Sequence, residues 1–147
     1  MTSDPIIVSV PHSGTRFLKK RLDVRDNAHT TLPWGRLWEW CSMGREIIVP
    51  LREPADVFRS WCRRNNPKSF PYGEFFMAWG QLHALDQMIE LDVICVDQCS
   101  DPRITDWTQE GHGDGAYAGW KLHKADLRPV YKLPIVERHY GSLAKAA

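Results

Sequence analysis

The sequence predicts an α/β fold, in which a parallel sheet carries helices on both of its faces. Short apolar runs alternate along the chain with longer stretches of helical periodicity, which is the pattern of a parallel sheet. The length of 147 residues is near the commonest size for one domain, and 43% of the residues are hydrophobic. We therefore expect a single compact domain over residues 1–147.

The predicted elements follow one another in strand–helix order. Apolar runs predict strands at residues 6–10, 28–32, 46–51 and 93–96. Helical spacing predicts helices at residues 14–22, 34–43, 55–64, 75–89 and 135–144. Pro50 lies inside the third strand and predicts a sheet edge or a bulge there. Residues 98–119 are rich in Gly, Asp and Thr and are predicted to form a long loop.

The first turn has the composition of an anion-binding loop. The sequence Pro11-His12-Ser13-Gly14 separates the first strand from the first helix. Backbone N–H groups and the positive end of a helix meet at such a turn, where they bind phosphate or sulfate. The turn lacks the Gly-Lys-Ser/Thr ending of nucleotide-triphosphate P-loops. An ordinary strand–turn–helix remains the alternative interpretation of this segment taken alone.

A second group of polar residues follows the third predicted strand. Arg52 comes at the strand end, and Ser60 follows eight residues later on the next predicted helix. Because an α-helix has about 3.6 residues per turn, this spacing places both side chains on one side. A guanidinium group matches the geometry of phosphate oxygens, and a serine hydroxyl adds a further hydrogen bond. A helix start with an exposed arginine and a solvated serine is the alternative.

Together the two motifs resemble the sulfotransferases that use 3′-phosphoadenylyl sulfate (PAPS). The first resembles their Pro-Lys-Ser-Gly-Thr-Thr-Trp loop, and the second resembles their strand-end Arg with a Ser eight residues later. The resemblance covers residues 1–65 well and the remainder loosely. It implies a P-loop-like domain that transfers a sulfuryl group from PAPS to an acceptor hydroxyl or amine and releases 3′,5′-ADP (PAP). It implies no metal.

The resemblance also implies roles for individual residues. The 5′-phosphosulfate would be held by Ser13, Gly14, Thr15 and Arg16, with Phe17 stacked on adenine. The 3′-phosphate would be bound by Arg52 and Ser60, and Lys121 in Gly119-Trp120-Lys121 would close over the cofactor.

Two histidines would supply the chemistry. His12 replaces the family's lysine or arginine and would offset charge on the leaving group, a task that Arg16 could share. His29 lies near a Leu-Pro pair that resembles a family segment, although two extra residues intervene, and it would act as general base. A surface histidine in a loop is the alternative for His29.

Composition limits the partners. A net charge of +1 gives no sign of a nucleic-acid or anionic-membrane partner. The sequence shows no membrane span and no leader pattern, which predicts a cytoplasmic protein. The four cysteines form no Cys-x-x-Cys pair and fit buried thiols in a reducing compartment, with a metal or disulfide pair of Cys95 and Cys99 as the alternative.

The remaining expectations concern the acceptor and the competing functions. The acceptor is expected to be a small molecule or a glycan. Because the chain is short for the family, the acceptor site would be open, built from residues 98–119, or completed by a second subunit in a homo-oligomer. A P-loop kinase-like nucleotide enzyme and a non-catalytic nucleotide- or sulfate-binding module are the alternative functions. The histidine at position 12 is the best support for the binding module.

Overall fold

The computed structural model describes residues 4–64, 70–108 and 123–141. Its strands are β1 (Ile6–Ser9), β2 (Asp26–His29), β3 (Ile47–Leu51) and β4 (Asp92–Cys95). Its helices are α1 (Thr15–Leu22), α2 (Trp34–Cys41), α3 (Pro54–Arg64), α4 (Tyr72–Met88), α5 (Arg128–Tyr131) and α6 (Pro134–Tyr140). The strands form one parallel sheet in the order β2-β1-β3-β4. The predicted α/β class with a parallel sheet is confirmed.

Alternating side chains of the strands face two separate hydrophobic clusters. On one face, Ile6 and Val8 of β1 pack in a large cluster to which α2, α3, α4, α5 and α6 contribute. On the other face, Ile7 packs in a smaller cluster with Leu18 of α1 and with Ile48. Successive residues of a strand point to opposite faces, so a sheet covered on both sides has continuously apolar strands. The burial of every residue in β1 and β3 follows from this arrangement.

The strand order creates a crevice between the carboxyl ends of β1 and β3. The chain leaves β1 through α1 toward β2 at one edge, and it leaves β3 through α3 and α4 toward β4 at the other. Connections between parallel strands are right-handed, which places α1 on the face opposite α2, α3 and α4. Ligands of open parallel sheets bind where neighbouring connections diverge in this way. The turn after β1 and Arg52 after β3 both lie at this point.

Pro50 does not mark an edge or a bulge, so that prediction is wrong. Its strand, β3, lies between β1 and β4, and Pro50 pairs in register with Ile94. The Leu51 carbonyl accepts a hydrogen bond from Val96 N on the β4 side, so the preceding residue turns its backbone nitrogen toward β1. The recorded register between β1 and β3 ends at the pair Ile7 and Ile48. The missing N–H of Pro50 therefore removes no bond from this ladder.

Other boundaries differ where the sequence is polar or short. The strand predicted at residues 28–32 is β2, which begins at Asp26 and ends at His29, where a bond from Leu32 N to the His29 carbonyl closes a turn. α5 was not predicted. α6 ends at Tyr140, and residues 142–144 of the predicted last helix lie outside the described residues.

All four cysteines are free thiols. Cys41, Cys62 and Cys95 are buried free thiols, and Cys99 is an exposed one, so the alternative of a Cys95–Cys99 disulfide is not realised. Within the described residues, no helix has the length and apolar character that a membrane span requires. Residues 98–108 of the predicted long loop contain no helix or strand, whereas residues 109–119 lie outside the described residues.

Candidate functional site

The loop between β1 and α1 presents a row of unused backbone donors. His12 and Gly14 have positive φ angles of 71° and 100°. The first helical bond of α1 runs from Leu18 N to the Gly14 carbonyl. Within the described part of the chain, the N–H groups of residues 13–17 donate to no backbone or side-chain acceptor. Unused donors at the start of a helix, together with the loop donors before them, form a place for an anion.

A cleft of about 270 Å³ opens beside this loop. Its walls come from the loop, from α1 and from β2, and it is lined by Pro11, His12, Gly14, Thr15, Arg16, Lys19, Asn27 and His29. Arg16 and Lys19 bring fixed positive charge, and none of the described lining residues is a carboxylate. The Lys19 ammonium donates to Asn27 Oδ1 at 2.9 Å, which holds both side chains at the wall. The cleft therefore favours a negatively charged ligand.

α3 holds the loop from the side away from α1. Trp61 Nε1 donates to the Pro11 carbonyl at 2.8 Å, and Arg52 Nη1 donates to the His12 carbonyl at 3.3 Å. Ser60 Oγ and His12 Nδ1 lie 3.0 Å apart. The structure thus brings the strand-end arginine and the helical serine of the second motif onto the first loop. Both contact the turn at His12, and neither of them lines the 270 Å³ cleft.

The cations at this site differ from most other arginines of the protein. Ion pairs with aspartates are made by Arg21, Arg45, Arg59, Arg103, Arg128 and Arg138. By contrast, Arg16, Lys19 and Arg52 pair with no carboxylate among the described residues. Neighbouring cations repel one another and are stabilised by an anion placed between them. A phosphate or sulfate would supply the negative charge that balances these cations.

His29 joins the cleft to the end of β1. Ser9 and His29 are register partners on neighbouring strands, and Ser9 Oγ lies 3.5 Å from His29 Nδ1 and 2.5 Å from Thr15 Oγ1. Burial lowers the pKa of His29 below its ordinary value of 6.5, and a hydrogen bond with the Ser9 backbone opposes part of this fall. His29 is therefore mainly neutral near pH 7, which is the form that can accept a proton.

The remaining predicted residues have different surroundings. Ser13 is buried, with an exposed fraction of 1%, and its Oγ has no partner among the described residues. Phe17 does not line the cleft, because its ring stacks on Trp107 at 5.9 Å and joins the smaller cluster. Its ring therefore has an apolar partner within the fold, and its stacking on adenine stays a prediction. Lys121 lies outside the described residues.

Sequence reasoning missed Lys19, Asn27, Ser9 and Trp61. Two of them had a usable signal: Lys19 follows Arg16 by one helical turn, and Asn27 precedes His29 by two residues on the same side of a strand. Ser9 and Trp61 look like ordinary members of apolar runs. Their roles depend on the register of β1 with β2 and on the docking of α3.

The chain matches no protein-family model, and no curated protein or solved structure is significantly similar to it.

Gly14 provides a test of the loop. Its positive φ strains any other residue, and a Cβ added there would lie 3.1 Å from both Cγ atoms of Val96. We expect sulfate or phosphate to raise the melting temperature of the native protein, and we expect Gly14→Ala to lose this rise. Gly44→Ala is the matched control, because Gly44 also has a positive φ but nothing within 4 Å of the added Cβ. It should lose about 1–2 kcal/mol of stability and keep the anion effect. A normal anion response in Gly14→Ala would contradict the loop assignment.

His29 provides a test by pH. We expect its NMR titration midpoint to lie below 6.5, since burial lowers its pKa. As pH falls below about 6.5, the unfolded chain takes up the proton first, so the free energy of unfolding decreases through this window. His139, whose pKa is lowered by burial and then by Arg138, acts in the same direction. The comparison is therefore with His29→Gln, which should lose part of the pH dependence. A His29 midpoint at or above 6.5 would contradict this expectation.

Proposed function

We propose that this protein is a P-loop-like, PAPS-dependent sulfotransferase that transfers a sulfuryl group to an acceptor hydroxyl or amine. The observation that carries the proposal is the meeting of Arg52 and Ser60 with the turn at His12. Two motifs that resemble the family are separated by about 40 residues in sequence and contact each other at the carboxyl end of the sheet. The strand order brings the two segments together, and their resemblance to the family's motifs is the reason for assigning the contact to cofactor binding.

The site offers separate places for the two ends of the donor. The N–H groups of residues 13–17, with Arg16 and Lys19 beside them, would hold the 5′-phosphosulfate. Arg52 and Ser60 would bind the 3′-phosphate, since a guanidinium group and a hydroxyl both donate to phosphate oxygens. The described cleft lining contains no carboxylate that could hold Mg²⁺, which favours PAPS over a magnesium–ATP substrate and so disfavours the kinase-like alternative.

The proposed reaction is an in-line displacement at sulfur. The acceptor oxygen or nitrogen forms the new bond to sulfur and gives its proton to His29. The bond from sulfur to the bridging oxygen breaks, and its electron pair stays on the 5′-phosphate of PAP. His12 and the loop donors would stabilise that developing charge. Most of the rate enhancement would come from position and electrostatics.

The anion-binding module without catalysis is the second candidate. Its specific support is His12, which gives the loop an imidazole where the family has a fixed cation. In this candidate the loop binds a 3′-phosphorylated nucleotide or sulfate, and no group is transferred. Binding and turnover experiments separate the two candidates.

The first prediction from this proposal concerns nucleotide preference. The native protein should bind 3′,5′-ADP more tightly than 5′-AMP in calorimetry. Arg52→Ala should remove most of this preference, because a hydrogen bond to a charged group contributes about 1.5–3 kcal/mol. Arg59→Ala is the matched control, since Arg59 lies on α3 but is exposed and paired with Asp56 at 2.5 Å. Equal affinity of the native protein for both nucleotides would exclude the proposed 3′-phosphate site.

The second prediction concerns the two histidines. His29→Gln should lower PAPS-dependent sulfation by about 10²–10⁴-fold and leave 3′,5′-ADP affinity unchanged, because the residue acts on the acceptor proton. His12→Lys should keep or raise activity, since lysine restores a fixed charge, whereas His12→Ala should weaken both binding and rate. The assay is the mass shift of sugars, phenols and amines incubated with PAPS. Native-like turnover in His29→Gln would assign the base elsewhere. Binding of 3′,5′-ADP with no sulfated acceptor would favour the binding module.

A further inference from the structure

We propose that Ser9 is a positioning residue, which holds the His29 ring with Nδ1 protonated and joins it through Thr15 to the anion loop. The assignment rests on the proposed function only for its catalytic consequence. The arrangement of the three side chains is a feature of the folded protein by itself, and nothing in the first motif or the second points to Ser9.

Ser9 occupies a position from which it reaches both partners. It is the last residue of β1, its exposed fraction is 0%, and its register partner on β2 is His29. Its hydroxyl lies 2.5 Å from Thr15 Oγ1 at the start of α1 and 3.5 Å from His29 Nδ1. A buried hydroxyl has one hydrogen to donate and can also accept, so it can link a donor on one side to an acceptor on the other.

The Ser9 hydroxyl is the group that sets the tautomer of His29 in this proposal. The recorded contact joins Ser9 Oγ to His29 Nδ1, whereas the Ser9 carbonyl accepts a hydrogen bond from Thr30 N at 2.9 Å. A hydroxyl can accept from Nδ1–H or donate to Nδ1, and we assign the order in which Nδ1–H donates and Ser9 Oγ accepts. The bond made by one ring nitrogen determines the protonation of the other. In neutral His29 the lone pair is then on Nε2, across the ring from Ser9. There it can take the proton of the substrate hydroxyl or amine that attacks sulfur.

The two hydroxyls give the chain of bonds a direction. If Nδ1–H donates to Ser9 Oγ, the Ser9 hydroxyl is left to donate to Thr15 Oγ1, and the Thr15 hydroxyl can donate into the cleft that it lines. An anion in the loop accepts that last bond and favours this order over the reverse one. The other charged or titratable groups that line the cleft with His29 are Arg16 and Lys19 from α1 and His12 from the loop. All three favour an anion, and none of them reaches Nδ1 in the recorded hydrogen bonds.

The tautomer can be measured directly by NMR on protein labelled with ¹⁵N in the imidazole rings. In the native protein without nucleotide, neutral His29 should be mainly the Nδ1–H form. A native protein in which neutral His29 is mainly the Nε2–H form would overturn the proposal. This NMR measurement uses the native protein alone.

Ser9→Ala and Thr30→Val form a matched pair of variants. Both remove one fully buried hydroxyl next to His29, but Thr30 Oγ1 has no hydrogen-bond partner in the part of the chain that the structure describes. Ser9→Ala should reduce the Nδ1–H population and lower the pKa of His29, because the imidazolium form loses an acceptor. Thr30→Val should leave both quantities unchanged. Native-like tautomer populations and an unchanged His29 pKa in Ser9→Ala would overturn the proposal.

The catalytic consequence is a separate measurement. Ser9→Ala should lower kcat of sulfation by about tenfold or more, by analogy with partners that orient metal-bound histidines, and should spare 3′,5′-ADP affinity. Thr30→Val should retain native kcat. If the tautomers behave as expected and no acceptor is sulfated by native protein, the assignment of Ser9 is supported and the proposed function fails. If native protein sulfates an acceptor and Ser9→Ala does so with unchanged kcat, the positioning role is excluded.

Discussion

The hydrogen bonds from α3 and Arg52 to the turn at Pro11 and His12 are the constraint on which the site depends. His12 has a φ of 71°, a conformation that costs a residue with a side chain on the order of 1–2 kcal/mol. Trp61 and Arg52 donate to the carbonyls of Pro11 and His12 and offset that cost. In a trans peptide the C=O and N–H point in opposite directions. Because the His12 carbonyl turns toward Arg52, the Ser13 N–H points the other way, and the row of unused donors begins there.

The sheet topology explains why these parts meet. The connections after β1 and β3 leave in opposite directions, so neither of these two connections crosses the carboxyl ends of the strands. Pro50 fits this opening, because the β1–β3 register ends at Ile7 and Ile48 and no partner on β1 is deprived of a bond. The turn at His12 enters the opening, and Arg52 reaches it from β3. The same strand order that buries two cores therefore also brings the two motifs into contact at one end of the sheet.

The sequence predicted this arrangement where a pattern was strong and missed it where contacts are non-local. β1, β3 and the helices α1, α3 and α4 follow from apolar runs, helical spacing and turn residues. The predicted range of β2 begins two residues too late, because Asp26 and Asn27 are polar and give no apolar run. Only pairing with β1 makes this edge segment a strand. Phe17 was assigned to the ligand from the resemblance, but Trp107, far along the chain, provides an apolar partner for its ring. Arg52 and Ser60 were found by their spacing, whereas Trp61, the next residue, gave no signal beyond its apolar character.

A bound anion would favour the protonated form of His29, whereas the proposed reaction needs the neutral form. An opposite charge near an imidazole favours its protonated form, and a proton acceptor must be neutral. Burial already lowers the pKa of His29, and Arg16 and Lys19 line the same cleft without a described carboxylate partner. In the proposed complex these fixed cations and the loop N–H groups would lie beside the anion and neutralise much of its charge. The described lining has no carboxylate that would pair with the cations instead. His29, whose pKa burial lowers, would then stay neutral next to a negatively charged ligand, as a proton acceptor must.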